Sequence, residues 1–430
     1  MPHKQVVKIG LLGLGTVGRG VYRILTENVE NIQRKVGLKI EVQKVLVRDT
    51  SKDRGIDIDP SVLTTNIGDI TNNPEIDIVV EVLGGISPTM DYVLQSLNRG
   101  KSVVTANKDM IAMHGKELFA AAEANNCDLF FEASVAGGIP IIRTLKQSLA
   151  SNNIEQVFGI INGTTNYMLT KMTKEGSDFN DVLKEAQAKG YAEADPTADV
   201  EGYDAARKIA ILSSISFNTR VTLDDVYVEG ITKISTEDIA YANELGYIIK
   251  LLGISKMTDE GIEVRVHPTL IPSDHPLTSV NDAFNAVFVR GDAVGDTMFY
   301  GQGAGELPTA SAVVADIMDA ARDMLRDVPG IIGCTCYNNK PIKPMGKTKS
   351  RYYIRILVHD KPGVLSSIAL VFGNKGVSLA SVIQKDVEGS TAELVLITHG
   401  TKEENVQDAL IDIKQLSCVK EIANVLRVEG

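Results

Sequence analysis

Val6-Val7-Lys8-Ile9-Gly10-Leu11-Leu12-Gly13-Leu14-Gly15-Thr16-Val17-Gly18 is a short apolar run that passes at once into a G-x-G-x-x-G. Val6 to Leu12 has strand character, and a helical pattern starts near Val17. Between strand and helix, Gly13 permits the tight turn and Gly15 lets the backbone approach a pyrophosphate. Gly18 lets the helix pack closely on the sheet, with the helix N-terminus facing the anion. Placed at the first strand-to-helix turn, the motif points to a bound dinucleotide. The plainer reading is a set of ordinary turn glycines.

Outward from this turn, strands alternate with helices through the first third of the chain. Strands are expected at Ile40 to Val47, Asp77 to Leu83, Lys101 to Thr105 and Asp128 to Val135, and helices at Met90 to Asn98 and Gly115 to Asn125. That alternation predicts an α/β, Rossmann-type domain with a parallel sheet wound on both faces. Ligands in such sheets gather at the carboxyl ends of the strands. Gly84-Gly85 and Thr105-Ala106-Asn107-Lys108 lie at such ends, which makes Lys108 a site candidate by position. The alternative is a solvated loop lysine. After the second strand, Arg48 with Lys52 nearby favours a 2′-phosphate and hence NADP, while Asp49 leaves NAD open.

Beyond Pro140 the pattern changes to α+β. Ile154 to Ile161, Val264 to Leu270 and Ala286 to Arg290 read as strands, and Tyr167 to Lys174 and Asp181 to Lys189 as helices. Pro196 sits where another helix could begin, capped by Thr197 or Asp199. Ala205, Ile209 and Leu212 then form a buried stripe, with Asp204 and Lys208 four apart beside it. A lysine held against an apolar wall can serve as a general acid or base. The bland reading of the same pair is a surface ion pair. Glycine-rich Gly301 to Glu306 precedes a long helix, Pro308 to Arg326.

A proline- and lysine-rich stretch, 336–350, reads as a linker. Past it, a strand bearing Ile354, Ile356 and Val358 leads into a helix reaching about Gly373. A strand at Val377 to Lys385, a turn at Val387 to Ser390, a strand at Ala392 to Thr398, a helix at Glu403 to Ile413 and a strand at Val419 to Val428 follow. This β-α-β-β-α-β order is ferredoxin-like. The expected division is therefore 1–137, completed by 309–335, for the dinucleotide; 138–308 for substrate and dimerisation; and 351–430 as a terminal module.

The 430 residues, 44% hydrophobic and 23% charged, leave room for several domains, and the net charge of -11 argues against nucleic acid or an anionic membrane as partner. No apolar stretch approaches the ~20 residues of a membrane span, and no secretory segment precedes the first strand. Cys127, Cys334, Cys336 and Cys418 lack matching histidines, so zinc is not expected and reduced cytoplasmic thiols are the default.

Several blocks together resemble the bacterial homoserine dehydrogenases that carry a C-terminal ACT domain. They are Gly10 to Gly18, Val103 to Lys108, Glu132 to Pro140, Ile161 to Tyr167, Gly190 to Lys208, Gly301 to Leu307 and, in the terminal module, Asp360 to Leu365. The resemblance spans the chain and implies NAD(P)-dependent interconversion of L-homoserine and L-aspartate 4-semialdehyde. It implies that Lys208 exchanges the proton, that Lys108 assists, and that Glu193 and Asp204 hold the substrate ammonium. Cofactor contacts are implied at Gly13, Gly15, Thr16, Val17, Gly18, Arg48, Thr105, Lys108, Gly190 and Gly305. A sodium ion is implied at the Glu132 carboxylate and the carbonyls of Val135, Gly137 and Ile139. Threonine is the implied effector, near Gly363, Val364, Leu365 and Asn374, in a cytoplasmic homodimer or homotetramer. The competing readings are another NADP-dependent amino or hydroxy acid oxidoreductase with an ACT domain, and a non-catalytic amino acid sensor.

Overall fold

The computed structural model describes residues 5–387 and 391–429. Of the expected hairpin turn at Val387 to Ser390, the last three residues lie outside this range. The chain forms two compact units, Met1–Ile154 with Ala210–Asp224 and Asn285–Asn339, and Glu155–Ile209 with Asp225–Phe284 and Lys340–Gly430.

The first unit holds a six-stranded parallel sheet. In spatial order its strands are Leu63–Thr64, Lys39–Leu46, Val6–Leu12, Ile78–Glu81, Ser102–Thr105 and Leu129–Phe130. This is the 3-2-1-4-5-6 order of a doubly wound sheet, whose ligand crevice opens where the first and fourth strands part. Ile78, Val79 and Val80 are fully buried, as a central parallel strand covered on both faces requires. The helices Thr16–Glu27 and Glu306–Arg326 pack together on the sheet, through Val21, Leu25, Ala310, Val313 and Ile317.

Three expectations are corrected here. The last strand ends at Phe130 rather than Val135, because Glu132 to Ser134 turn into a short 3-10 helix. The Glu132 N–H donates to Asp316, and its carboxylate accepts the N–H groups of Ile142 and Arg143, which draws the segment out of the sheet. The helix expected from Gly115 begins at Lys108, where the Asn107 side chain accepts from the Met110 N–H. Gly115 is an interior position whose missing side chain leaves room for Arg220. The helix expected from Pro196 is two helices, Thr197–Val200 and Tyr203–Ser216, and neither Thr197 nor Asp199 caps the first, whose N-cap is Pro196 with no side-chain bond. Gly202 separates them at φ +84°, a left-handed conformation that ends the first turn.

In the second unit a sheet runs in the order Ile154–Ile160, Tyr247–Thr258, Gly261–Pro272, Val419–Val428, Lys349–His359, Thr391–Thr398 and Leu379–Val387. The last four strands, with the helices Val364–Asn374 and Glu403–Ile413, form the ferredoxin-like module around Tyr352, Ile354, Ile368, Phe372, Leu394 and Val406. Its final strand pairs in parallel with Gly261–Pro272, Thr269 opposite Arg427, so one sheet runs through both parts. The strand Tyr247–Thr258 was not expected from the sequence. No helix among the described residues is long and apolar enough to cross a membrane, and the four cysteines are free thiols.

Candidate active site

At the crevice of the parallel sheet, Gly13 turns the chain and Gly15 stands at the N-terminal end of the Thr16–Glu27 helix, with no side chain capping it. A side chain at Gly15 would meet nothing within 4 Å, so the cradle is open to a ligand. A Cβ at Gly18 would lie 2.2 Å from the Gly13 carbonyl oxygen, so only glycine lets the helix sit this close to its own turn. Free N–H groups at a helix N-terminus with no acidic first turn suit a pyrophosphate. Thr16 is exposed and Val17 half-buried beside this cradle.

The neighbouring rim is organised by Glu81, a residue the sequence did not single out. Its carboxylate accepts from the Leu83 N–H (2.8 Å), the Gly84 N–H (3.0 Å) and the Thr105 hydroxyl (2.5 Å). Burial raises the Glu81 pKa, and those three donors oppose the rise. The Thr105 side chain is thus turned inward, toward Glu81. Asn107 donates to the Gly85 carbonyl (2.6 Å) and caps the helix that starts at Lys108. Lys108 is half-buried at the first turn of that helix.

Past the second strand, Arg48 is exposed. One oxygen of the Asp49 carboxylate accepts from both the Ser51 N–H (2.8 Å) and hydroxyl (2.7 Å), which lowers the Asp49 pKa. In the same unit Gly305 stands at φ +124° before the helix Glu306–Arg326. Glu132 is buried, and burial raises its pKa against the two N–H groups it accepts. Val135, Gly137 and Ile139 are buried around it, with Ala136 and Gly137 both in left-handed turns.

In the second unit the centre of the polar cluster is Asn162. Its side-chain oxygen accepts from the Thr165 N–H, capping the helix Gly163–Glu175, while its amide donates to Asp199 (2.7 Å) and Asp204 (2.9 Å). The Lys208 ammonium donates to the same Asp204 carboxylate (2.7 Å) and to the Ile161 carbonyl (2.8 Å). The Lys208 and Asp204 side chains are only 14% and 10% exposed, so this is not a surface ion pair. Burial raises the Asp199 pKa, and nearby Asp204 adds to the rise. Two carboxyl groups, one amide and one ammonium are thereby fixed within hydrogen-bond reach, an arrangement suited to holding a cation and passing a proton.

Glu193 does not join them; it is exposed, with its carbonyl accepting from Gln187. Gly190, at φ +75°, follows the helix Phe179–Ala188. Asn162 and Asp199 are the members that were not expected at the site: Asp199 reads as a helix cap from the sequence, and Asn162 only as the opening of a polar turn directly after a strand. In the terminal module a cavity of about 410 Å³ is lined by Asp360 to Leu365 with Gln384 and Leu394. Gly363, Val364 and Leu365 border it, and Asn374 ends the helix that begins beside it.

Comparison with known proteins gives the family. Residues 13–132 match the family model for the homoserine dehydrogenase NAD binding domain, 140–318 that for homoserine dehydrogenase, and 352–418 that for the ACT domain. The homoserine dehydrogenase of Bacillus subtilis is 46% identical over 428 residues, covering 99% of each chain. That of Synechocystis is 48% identical over 434 residues, covering 99% of this chain and 100% of its own. Among solved structures, a homoserine dehydrogenase from Thiobacillus denitrificans superposes with a TM-score of 0.94 at 45% identity, over 99% of this chain and 98% of that one. A hyperthermophilic archaeal homoserine dehydrogenase in complex with NADPH covers 73% of this chain and 97% of its own, at a TM-score of 0.62 and 28% identity.

Proposed function

The chain belongs to the homoserine dehydrogenase family, and on that premise we propose that Lys208 is its proton-exchanging residue, held in place by Asp204 and Asn162. It is an NAD(P)-dependent oxidoreductase with a C-terminal ACT domain. The nicotinamide, when bound, supplies or takes the hydride at the substrate's terminal carbon. The chain's own residues must orient the substrate and move one proton. In the reducing direction the Lys208 ammonium gives a proton to the aldehyde oxygen; in the oxidising direction its amine takes the hydroxyl proton. The observation that carries this reading is the single geometry of Lys208, fixed between the Asp204 carboxylate and the Ile161 carbonyl. Asp199 and Asp204 are the carboxylates that the cluster offers the substrate ammonium; Glu193, assigned to it as well, stands exposed outside that cluster, and Lys108 opposes the charge of the substrate carboxylate. The Gly13–Gly18 cradle, with Thr16 and Val17 beside it, takes the pyrophosphate, and Gly190 and Gly305 are the further cofactor contacts of this reading.

We assign NADP as the preferred cofactor. Arg48 is the first charged residue past the second strand, and one oxygen of Asp49, the residue that would hold a ribose hydroxyl, is engaged by Ser51. Arg48→Ala should raise KM for NADPH by about tenfold, the scale of one charge-assisted contact, and leave that for NADH within twofold. Equal effects on both cofactors would remove Arg48 from this role.

The Glu132 turn suits a sodium ion. Its donors are oxygens, and each carboxylate oxygen accepting one N–H keeps a lone pair. Exchange of sodium for tetramethylammonium should lower the melting temperature, and an unchanged melt would dismiss the cation. Threonine is the effector we assign to the Asp360–Leu365 cavity. Millimolar L-threonine should lower turnover in the wild-type chain; unchanged turnover and melting temperature would refute feedback at this cavity. We place the enzyme in the cytoplasm as a homodimer or homotetramer, in keeping with its free thiols.

A further inference from the structure

A second cavity, of about 420 Å³, lies in the seam where the terminal module joins the rest of its unit. One wall carries Glu201 and Tyr203, another Thr232 and Lys233, and a third Ile422 and Asn424 of the last strand. Neither the Glu201 carboxylate nor the Lys233 ammonium makes a hydrogen bond or ion pair with any described residue, although both residues line one cavity. Opposite charges that share a cavity without pairing leave two complementary contacts for a ligand that carries both signs.

From this we infer that the seam cavity binds a small polar α-amino acid as its zwitterion, the ammonium on Glu201 and the carboxylate on Lys233. The hydroxyls of Tyr203 and Thr232 suit a polar side chain. A polyanion would be repelled by Glu201 and a metal cation by Lys233, which narrows the class to a ligand of no net charge. The wall is fixed rather than loose: the Asn424 amide donates to the Lys233 carbonyl (3.1 Å) and to Asp238 (2.7 Å).

The same wall touches the substrate cluster. A Cβ at Gly230 would stand 2.3 Å from the Val200 carbonyl oxygen, and the Ile231 N–H donates to that oxygen (2.8 Å). Val200 to Gly202 is the link between the Asp199 helix and the Asp204–Lys208 helix. A ligand that holds Glu201 therefore acts on the spacing of Asp199 and Asp204, a route separate from the Asp360–Leu365 cavity.

Calorimetric titration of the full chain, without cofactor, with L-serine, L-threonine and L-homoserine tests this. At least one should bind saturably, and Glu201→Gln and Lys233→Met should each weaken it at least about tenfold, as loss of a charge-assisted contact does. The N-acetyl derivative of that amino acid, which lacks the ammonium, should not bind. Both variants lie outside the core, so an unchanged melting temperature confirms that they fold. No heat from any of the three at tens of millimolar overturns the proposal. Binding that survives both variants overturns it too: the amino acid would then occupy the other cavity if Leu365→Glu abolishes the heat, or the Lys208 cluster if it does not. The readout is heat rather than turnover, so either failure leaves the role of Lys208 untouched.

Discussion

Lys208→Ala should lower kcat for semialdehyde reduction by about 10² to 10⁴, the range that a positioned general acid supplies. Affinity for NADPH, measured by fluorescence titration, should stay within twofold, because the cofactor cradle is built from other residues. Lys208→Arg should not rescue, since a guanidinium stays charged and cannot hand over its proton near neutral pH. Asp204→Asn should fall between wild type and Lys208→Ala. It keeps an oxygen for the Lys208 ammonium and for Asn162, but loses the charge that holds both donors. Near-normal turnover in Lys208→Ala would show that the proton travels by another group.

Arg427→Ala should cost about 3–5 kcal/mol of stability, the penalty for leaving buried carboxylates without their cation. Arg427 is 1% exposed and binds Glu403 (2.7 Å and 2.9 Å) and Glu229 (2.8 Å), with its guanidinium 5.1 Å from the Tyr227 ring. The last strand thereby ties the terminal module to the segment Tyr227–Val228 and the glutamate after it. Arg265 plays the corresponding part with Glu263 and Glu429. Burial pushes Glu403 and Glu429 up, but their arginine and lysine partners more than offset it, and both pKa values end below the usual glutamate value. Groups with depressed folded pKa values stabilise above the ordinary carboxylate range and lose that contribution as pH falls through their folded values. The wild-type chain should therefore lose melting temperature in acid. Arg427→Ala should flatten the acid limb as well as lower the plateau, and an acid limb of unchanged depth would mean that these glutamates do not set it. A double-mutant cycle with Glu403→Gln separates the pair from the packing of the arginine stem.

The parallel sheet was legible because its central strands are apolar on both faces and its turns carry glycine at the positions a dinucleotide needs. Lys208 and Asp204 were legible because four-residue spacing is a local rule. The hub between them and Asp199 was not, because Asn162 reaches partners 37 and 42 residues away. Asp199 illustrates the same point: its type and place read as a helix cap, yet its carboxylate is taken by a tertiary partner. Gly115 was read as a helix start, whereas it makes room for Arg220 inside the helix. Tyr247–Thr258 escaped notice because a near-continuous apolar run carries no period, and one of its lysines, Lys250, is buried with its ammonium hydrogen-bonded to Asn166 and the Val280 carbonyl. The buried arginines of the seam were invisible for the same reason: a charge inside a strand makes sense only once its distant carboxylates are in place.

The most direct measurement is a crystal structure of the chain with NADP and L-homoserine bound. It should show the Lys208 amine within about 3 Å of the substrate hydroxyl, the distance of a hydrogen bond, with the hydroxyl-bearing carbon against the nicotinamide. A substrate seated there with the Lys208 amine still held by Asp204 and the Ile161 carbonyl, out of reach of the hydroxyl, would contradict the account.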